Sequence, residues 1–316
     1  MKVIFTGTAP FAVASLEAVI ASPHDVLAVV TQPDKPHGRG LEMRISPVKE
    51  VALAHSIPVL QPANIAYAAA VAEIKSFDPI GVMIVVAYGQ KIPSELLSWP
   101  KFGVVNVHGS ILPKYRGAAP IQRAIIAGET RTGVTTMLMD EGWDTGDILL
   151  QQSIDILPNE NAGELSERLA LLGAGLLTRT LEGLEVGAIA PIPQDPELAS
   201  PAHSLQRDAG FIDWTRDAHS IVNLVRGCTP RPGAFTRAKG AQVKIWKSTV
   251  ADCGDVTGEP GQITAIDDAG VTVAAGNGCV RLIDVQPESR KQMSAADYAR
   301  GAKLAPGDRF DARIAP

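Results

Sequence analysis

What most constrains this chain is a rhythm. Through its first half, short β-branched apolar runs alternate with amphipathic stretches. Residues 2–5, 26–31, 80–86, 103–108 and 132–139 read as strands, and residues 11–21, 47–55, 63–76 and 119–127 as helices. The run Val82-Met83-Ile84-Val85-Val86 has no polar position, as expected of a strand covered on both faces. A further helix is predicted over 162–187, with Asn161 as its N-cap and Glu164 three residues on to complete a capping box. Strands taking turns with helices predict an α/β domain whose parallel sheet has helices on both sides.

The rhythm then breaks. Residues 188–204 hold Pro191, Pro193, Pro196 and Pro201 among small side chains, a poor helix or central strand and a good linker. Beyond a short helix at 218–227, brief alternating runs at 242–248, 271–275 and 279–285 are punctuated by glycine, which predicts a small barrel or sandwich. In the first run Val243 and Ile245 alternate with Lys244 and Lys247, provided Trp246 also lies outside. A chain of 316 residues has room for two domains, here placed at 1–187 and 206–316 with a linker at 188–205.

Charge divides along the same line. Residues 206–316 carry 15 Lys and Arg against 13 Asp and Glu, while the whole chain has a net charge of −5. From 218 to 251 there are six basic residues, Arg226, Arg231, Arg237, Lys239, Lys244 and Lys247, and no acidic one. Such a stretch on an acidic protein suggests a polyanionic partner, or else a solvated cationic face. Cys228, Cys253 and Cys279 are an odd, sparse set without CxxC spacing, so neither a disulfide framework nor a cysteine zinc site is expected. The amino-terminal apolar run of three residues is too short for a signal peptide. No segment approaches the ~20 apolar residues of a membrane span, so a soluble cytoplasmic protein without a membrane partner is expected.

Ligands of open parallel sheets bind beyond the carboxyl ends of the strands. The first strand leads into Thr6-Gly7-Thr8-Ala9, which lacks the GxGxxG turn of nicotinamide-binding domains; Walker A and GxSxG sequences are missing too. The strand at 103–108 leads into Asn106-Val107-His108-Gly109-Ser110-Ile111-Leu112-Pro113. Two residues apart on a strand, Asn106 and His108 share a face and make a pair of donors for an oxyanion developing on a carbonyl. Both also suit a purely structural role beside a turn. The cluster Asp140-Glu141-Gly142-Trp143-Asp144-Thr145-Gly146-Asp147 follows the next strand, which brings Asp144 within reach of His108. There a carboxylate favours the imidazolium form, although Asp-Gly loops also serve as plain turns. No serine or cysteine has a base beside it, so the three residues together suggest acyl transfer supported by donors, without a covalent nucleophile.

The first run continues as Lys114-Tyr115-Arg116-Gly117-Ala118-Ala119-Pro120-Ile121-Gln122. With Asp144-Thr145-Gly146-Asp147 it resembles the signature of the 10-formyltetrahydrofolate-dependent formyltransferases. Thr31-Gln32-Pro33-Asp34, Gly38-Arg39-Gly40 and Ser46-Pro47-Val48-Lys49 are similar to the branch of that family that acts on charged initiator tRNA. Ile212-Asp213-Trp214 and Val243-Lys244-Ile245-Trp246-Lys247 carry the resemblance into the tail. The short glycinamide ribonucleotide formyltransferases resemble only the first domain. The resemblance implies a Rossmann-like parallel-sheet formyltransferase domain followed by a small OB-like β-barrel, in a monomer. It gives the catalytic roles to Asn106, His108 and Asp144. The co-substrate, 10-formyltetrahydrofolate, would lie along Ser110, Ile111, Leu112 and Pro113 and the backbone of Val86, Ala87, Tyr88 and Gly89. The partner would be initiator methionyl-tRNA, gripped by Arg39 in an inserted loop at 32–47 and by Arg207, Arg226, Arg231, Lys244 and Lys247.

On that reading the free α-amine of the methionyl group attacks the formyl carbon, Asn106 and protonated His108 donate to the formyl oxygen, and Asp144 keeps His108 charged and turned. A neutral amine is already a good nucleophile, so no metal is required. Three rivals remain at this point: a formyltransferase acting on an amino sugar nucleotide, a nicotinamide oxidoreductase, and a non-catalytic tRNA-binding protein on an inactivated fold. The missing GxGxxG weakens the second, and the intact Asn106, His108 and Asp144 argue against the third.

Overall fold

A computed structural model describes residues 1–37, 42–253 and 258–311. The amino-terminal half opens with β1 (Lys2–Gly7), α1 (Val13–Ile20) and β2 (Asp25–Val30). The short strands β3 (Lys35–His37) and β4 (Glu42–Arg44) come next, then α2 (Pro47–Ala54), β5 (Val59–Leu60) and α3 (Ala68–Lys75). They are followed by β6 (Val82–Val86), α4 (Ser94–Leu97), β7 (Val104–His108) and α5 (Pro120–Ile126). A pair of long strands, β8 (Arg131–Leu138) and β9 (Ile148–Asp155), leads into the longest helix, α6 (Ala162–Glu185). The carboxyl-terminal half holds α7 (Ala218–Cys228), β10 (Ala234–Ala238), β11 (Ala241–Ala251), β12 (Ile263–Asp267) and β13 (Gly270–Ala274). It ends with β14 (Cys279–Pro287), β15 (Met293–Ser294) and α8 (Ala295–Ala302). Among the described residues, no helix is long and apolar enough to cross a membrane.

Two compact units are present. The first comprises Met1–Gly117, Thr132–Ile154 and Ser166–Ala202, and the second Ala118–Arg131, Asp155–Leu165 and His203–Pro316. In the first unit seven strands lie in the order β5-β2-β1-β6-β7-β8-β9. From β5 to β7 every pairing is parallel. The β-branched runs are buried as their composition requires, β6 at all five positions. Beyond β7 the direction reverses: β8 runs antiparallel, with Val105 opposite Leu138 and His108 opposite Thr135. A parallel crossover needs a helix laid back over the sheet. The helix between β7 and β8 is α5, which belongs instead to the second unit and packs there on α7. The loop at 32–47 is not structureless, because β3 and β4 pair as an antiparallel stub. Arg39, the predicted tRNA grip, lies outside the described residues.

The capping box at Asn161 and Glu164 forms reciprocally: Glu164 N–H donates to Asn161 Oδ1 at 3.1 Å and Asn161 N–H to Glu164 Oε2 at 2.9 Å. In the second unit an antiparallel sheet runs β10-β11-β14-β13-β12. Arg309 and Phe310 bridge to Gln262 and Ala238, linking the two edge regions of the sheet. Trp214 is fully buried in this core, stacks on Phe310 at 5.7 Å and donates Nε1–H to Thr236 Oγ1 at 3.0 Å. A register shift between Ile245 and Lys247 explains the odd phase of the predicted run: after this bulge Ser248, not Lys247, turns inward. One expectation is corrected. Cys253 and Cys279 form a disulfide, with Cα atoms 5.4 Å apart, because the pairing of Ala251 with Cys279 brings the end of β11 beside the start of β14.

Two stability tests follow from this core. Trp214→Ala should lower the unfolding free energy by about 3–5 kcal/mol in denaturant titrations, through reduced burial and the cavity left behind. Asp217 caps α7, and hydrogen bonds from the Ser220 side chain and backbone hold its carboxyl below the usual range. Its contribution is therefore complete above the unfolded carboxylate's pKa and is lost as pH falls through the folded value. Asp217→Asn, which keeps a cap acceptor but cannot titrate, should show an acid-side loss of stability less steep than the parent's.

Candidate active site

His108 closes β7, a strand paired on both sides, and is 6% exposed. Its Nε2 lies 2.9 Å from the Tyr115 carbonyl oxygen. A carbonyl can only accept, so Nε2 carries a proton. The other ring nitrogen, Nδ1, faces Asp144 Oδ2 at 3.6 Å, within ion-pair range and too long for a hydrogen bond. Asp144 Oδ2 accepts instead from the Gly117 N–H at 2.8 Å. Because β8 is antiparallel, Asp144 does not come from the carboxyl end of a parallel neighbour; the loop after β8 brings it to His108. That loop is braced by Asp140, whose carboxylate accepts from Gly142 N–H and Thr145 Oγ1, and Asp144 itself sits at φ +54°.

Asn106 shares a strand face with His108, two residues back. Its Nδ2 donates to the Val85 carbonyl at 3.0 Å, which uses one of two amide hydrogens. Its Oδ1 is buried without a partner among the described residues. A buried unsatisfied amide oxygen costs about 1–3 kcal/mol, a cost that a ligand N–H reaching this atom would offset. Sequence reasoning gave no role to Tyr115 or Gly117, since main-chain donors and acceptors leave no side-chain signal.

The two predicted folate segments differ in character. At the end of β6, Ala87 (φ +45°) and Gly89 (φ +85°) are exposed on either side of Tyr88, which is 2% exposed. Burial pushes the Tyr88 phenol up to about 12, and its hydroxyl has no partner among the described residues. Val86 is buried in the strand. A side chain at Gly89 would meet Gln32 Nε2 at 2.7 Å, the atom that donates to the Tyr88 carbonyl. Gln32 belongs to a polar knot at the root of the 32–47 loop: Lys49 Nζ bridges Asp34 and Gln61, and Gln61 donates to the Gln32 carbonyl and to Asp34. Hydrogen bonds from Lys49 and Gln61 hold the Asp34 carboxyl below its usual range. The other segment is fixed wall. Ser110 and Leu112 are buried, Ile111 and Pro113 half-buried, and Thr135 and Gln151 tie the Ser110 carbonyl, Leu112 N–H and Leu112 carbonyl to β8 and β9.

Apart from Arg39, the predicted tRNA cations belong to the second unit. Arg207, Arg231 and Lys247 are exposed, and Lys244 is half-buried. On the outer side of β10 and β11, Phe235 pairs with Lys244, whose Nζ lies 5.8 Å from the Trp246 ring. Phe211 meets Phe235 edge-on. Phe211 and Phe235 were not singled out from sequence, whereas Trp246 was read there as an outward-facing member of the run at 242–248. Arg231 lines a cavity of about 240 Å³ with Ala118, Ala119, Gln122, Ser204, Leu205 and Pro232. Arg226 is different in kind: its guanidinium donates to the carbonyls of Glu160 and Leu157 and to Asn223 Oδ1, and burial lowers its pKa.

The chain as a whole is similar to known proteins. Residues 1–181 match the formyl transferase family and residues 204–303 its C-terminal domain. A methionyl-tRNA formyltransferase of Geobacter metallireducens is 46% identical over 98% of both chains, and one of Ruminiclostridium cellulolyticum 45% identical over 98% of this chain and 99% of its own. In fold the chain resembles an N-formyltransferase from Helicobacter canadensis solved with folinic acid and dTDP-3-aminofucose (TM-score 0.67, 18% identity, 91% of this chain and 99% of that one). It also resembles HypX from Aquifex aeolicus in complex with tetrahydrofolic acid (TM-score 0.65, 17% identity, 98% of this chain and 48% of that one). With both family domains matched in order along a single chain, and with relatives this similar over nearly its whole length, the protein belongs to the formyl transferase family.

Proposed function

We propose that this chain transfers the formyl group of 10-formyltetrahydrofolate to the α-amine of initiator methionyl-tRNA. The observation that carries the reading is the His108–Asp144 pair on the face that also presents Asn106, whose amide has one hydrogen and one buried oxygen to spare. The folate supplies an activated formyl group. Its fit rests on the exposed main chain at Ala87 and Gly89 and on the unpartnered Asn106 Oδ1, which is suited to accept an N–H.

Asn106 donates its second amide hydrogen to the formyl oxygen. His108 donates through Nδ1, the ring nitrogen whose protein contact is too long to be a hydrogen bond, and Tyr115 keeps the ring from rotating. Two donors fixed beforehand stabilise the charge that develops on that oxygen as the amine attacks. Asp144 stabilises the charged imidazole, and its second oxygen relays the amine's proton through a water to N10 of the folate as the bond from the formyl carbon to N10 breaks and tetrahydrofolate leaves. The tRNA is held by Arg39, Arg207, Arg231, Lys244 and Lys247, with base stacking on Trp246 and Phe235. Arg226, with donors given to the Glu160 and Leu157 carbonyls and to Asn223, anchors α7 instead. The knot of Gln32, Asp34, Lys49 and Gln61 holds the loop that bears Arg39.

Incubation with 10-formyltetrahydrofolate and charged initiator tRNA should yield formylmethionine, and a dTDP-amino sugar in place of tRNA should yield no product. Asn106→Ala should lower kcat roughly a hundred- to a thousandfold. Near-normal kcat in Asn106→Ala, His108→Ala and Asp144→Asn alike would refute the site. Replacing Lys244 and Lys247 by Ala should raise KM for tRNA and leave that for folate unchanged. Each phosphate-binding cation removed should also make the logarithmic salt dependence shallower by about 1.

A further inference from the structure

The proline-rich stretch after α6 does more than connect. Gln194, a half-buried residue of that stretch, makes four hydrogen bonds. Its Nε2 donates to the carbonyl oxygens of Asp144 at 2.9 Å and Gly146 at 2.7 Å. Its Oε1 accepts from Arg116 Nε at 3.0 Å and Arg116 Nη2 at 2.8 Å. One amide thereby ties the loop that presents the catalytic carboxylate to the loop that receives it. Nothing in the reaction proposed above requires this residue.

Six residues further on, the stretch touches the second loop again. Ser200 Oγ accepts from Tyr115 N–H at 2.9 Å, the Ser200 carbonyl from Arg116 N–H at 2.8 Å, and Ala202 N–H donates to the Arg116 carbonyl at 2.6 Å. Two further main-chain groups of this segment serve the catalytic pair: Tyr115 C=O holds His108, and Gly117 N–H holds Asp144. A Cβ at Gly117, which sits at φ +120°, would lie 2.9 Å from the Ala202 carbonyl oxygen, so the approach leaves no room for a side chain. Residues 194–202 thus grip both loops from outside while the same loops grip His108 and Asp144 from within.

The geometry points to Gln194 as a positioning residue for formyl transfer, acting through the main chain of Asp144 and Gly146 to hold the Asp144 carboxylate in register with His108. This rests on the functional reading above, in which Asp144 is catalytic. Asp144 occupies a left-handed backbone conformation, which its surroundings must enforce. Without the two hydrogen bonds to its carbonyls the loop is freed, and misplacement of a reacting group by about 1 Å can cost on the order of a hundredfold in rate.

The test compares Gln194→Ala, Gln194→Glu, Arg116→Ala, Asp144→Asn and the double variant Asp144→Asn/Gln194→Ala in the formylmethionine assay. Thermal unfolding of each identifies any loss of fold. The expected result is a kcat lowered roughly ten- to a hundredfold in Gln194→Ala, with KM for folate and for tRNA unchanged. Gln194→Glu keeps the size of the side chain and its acceptors for Arg116 but cannot donate to the carbonyls, so it should be impaired as severely. The double variant should be no slower than Asp144→Asn alone, because the strap then has no carboxylate to place. Additive losses, a normal kcat in both Gln194 variants, or an active Gln194→Glu alongside an Arg116→Ala as slow as Gln194→Ala, would each overturn the assignment while Asp144→Asn stays impaired. A fully active Asp144→Asn would remove the functional reading itself.

Discussion

The site turns on one carboxylate that has no regular structure to stand on. Asp144 lies in a loop, in a left-handed conformation, and one of its oxygens accepts a hydrogen bond from Gly117 N–H. His108, by contrast, is fixed by a strand paired on both sides. A pair with one rigid and one suspended member depends on whatever holds the suspended one. Asp140 and Thr145 brace the loop locally, and the Gly117 hydrogen bond joins it to the chain beyond β7.

That arrangement is a consequence of the reversal at β8. Had α5 packed back on the sheet, the next strand would have run parallel and delivered its following loop beside the end of β7 directly. Since α5 contributes to the second unit, the chain comes back antiparallel, and Asp144 must be returned by a loop. The same reversal places Thr135 opposite His108, where its hydroxyl fixes the Ser110 carbonyl and the Leu112 N–H. Regular pairing on one side and a wandering loop on the other come from a single topological choice.

Much of this was readable in the chain. Strands such as Val82–Val86 declare themselves because burial on both faces permits no polar position, and the Asn106-x-His108 spacing fixes a shared face by strand geometry alone. What was not readable depends on distant partners. β9 went unseen since Gln151, Gln152 and Ser153 break the apolar run of an edge strand. The bulge at Trp246 shifts the phase of β11 only in response to β14. Arg226 looks like any other cation in the basic stretch until the Glu160 and Leu157 carbonyls, more than sixty positions away in sequence, claim its donors. The disulfide likewise joins cysteines whose meeting is decided by strand pairing and not by spacing.

The proline-rich stretch has a bearing on where this chain can be divided. Its composition invites a cut just after α6, as though everything beyond were tether. Residues 194–202 nevertheless belong to the first compact unit and bind the loops around His108 and Asp144. A fragment that ends at the helix would look whole by its sheet and yet lack part of the scaffolding around His108 and Asp144. Chimaeras that exchange tails between relatives should accordingly carry the junction beyond Ala202.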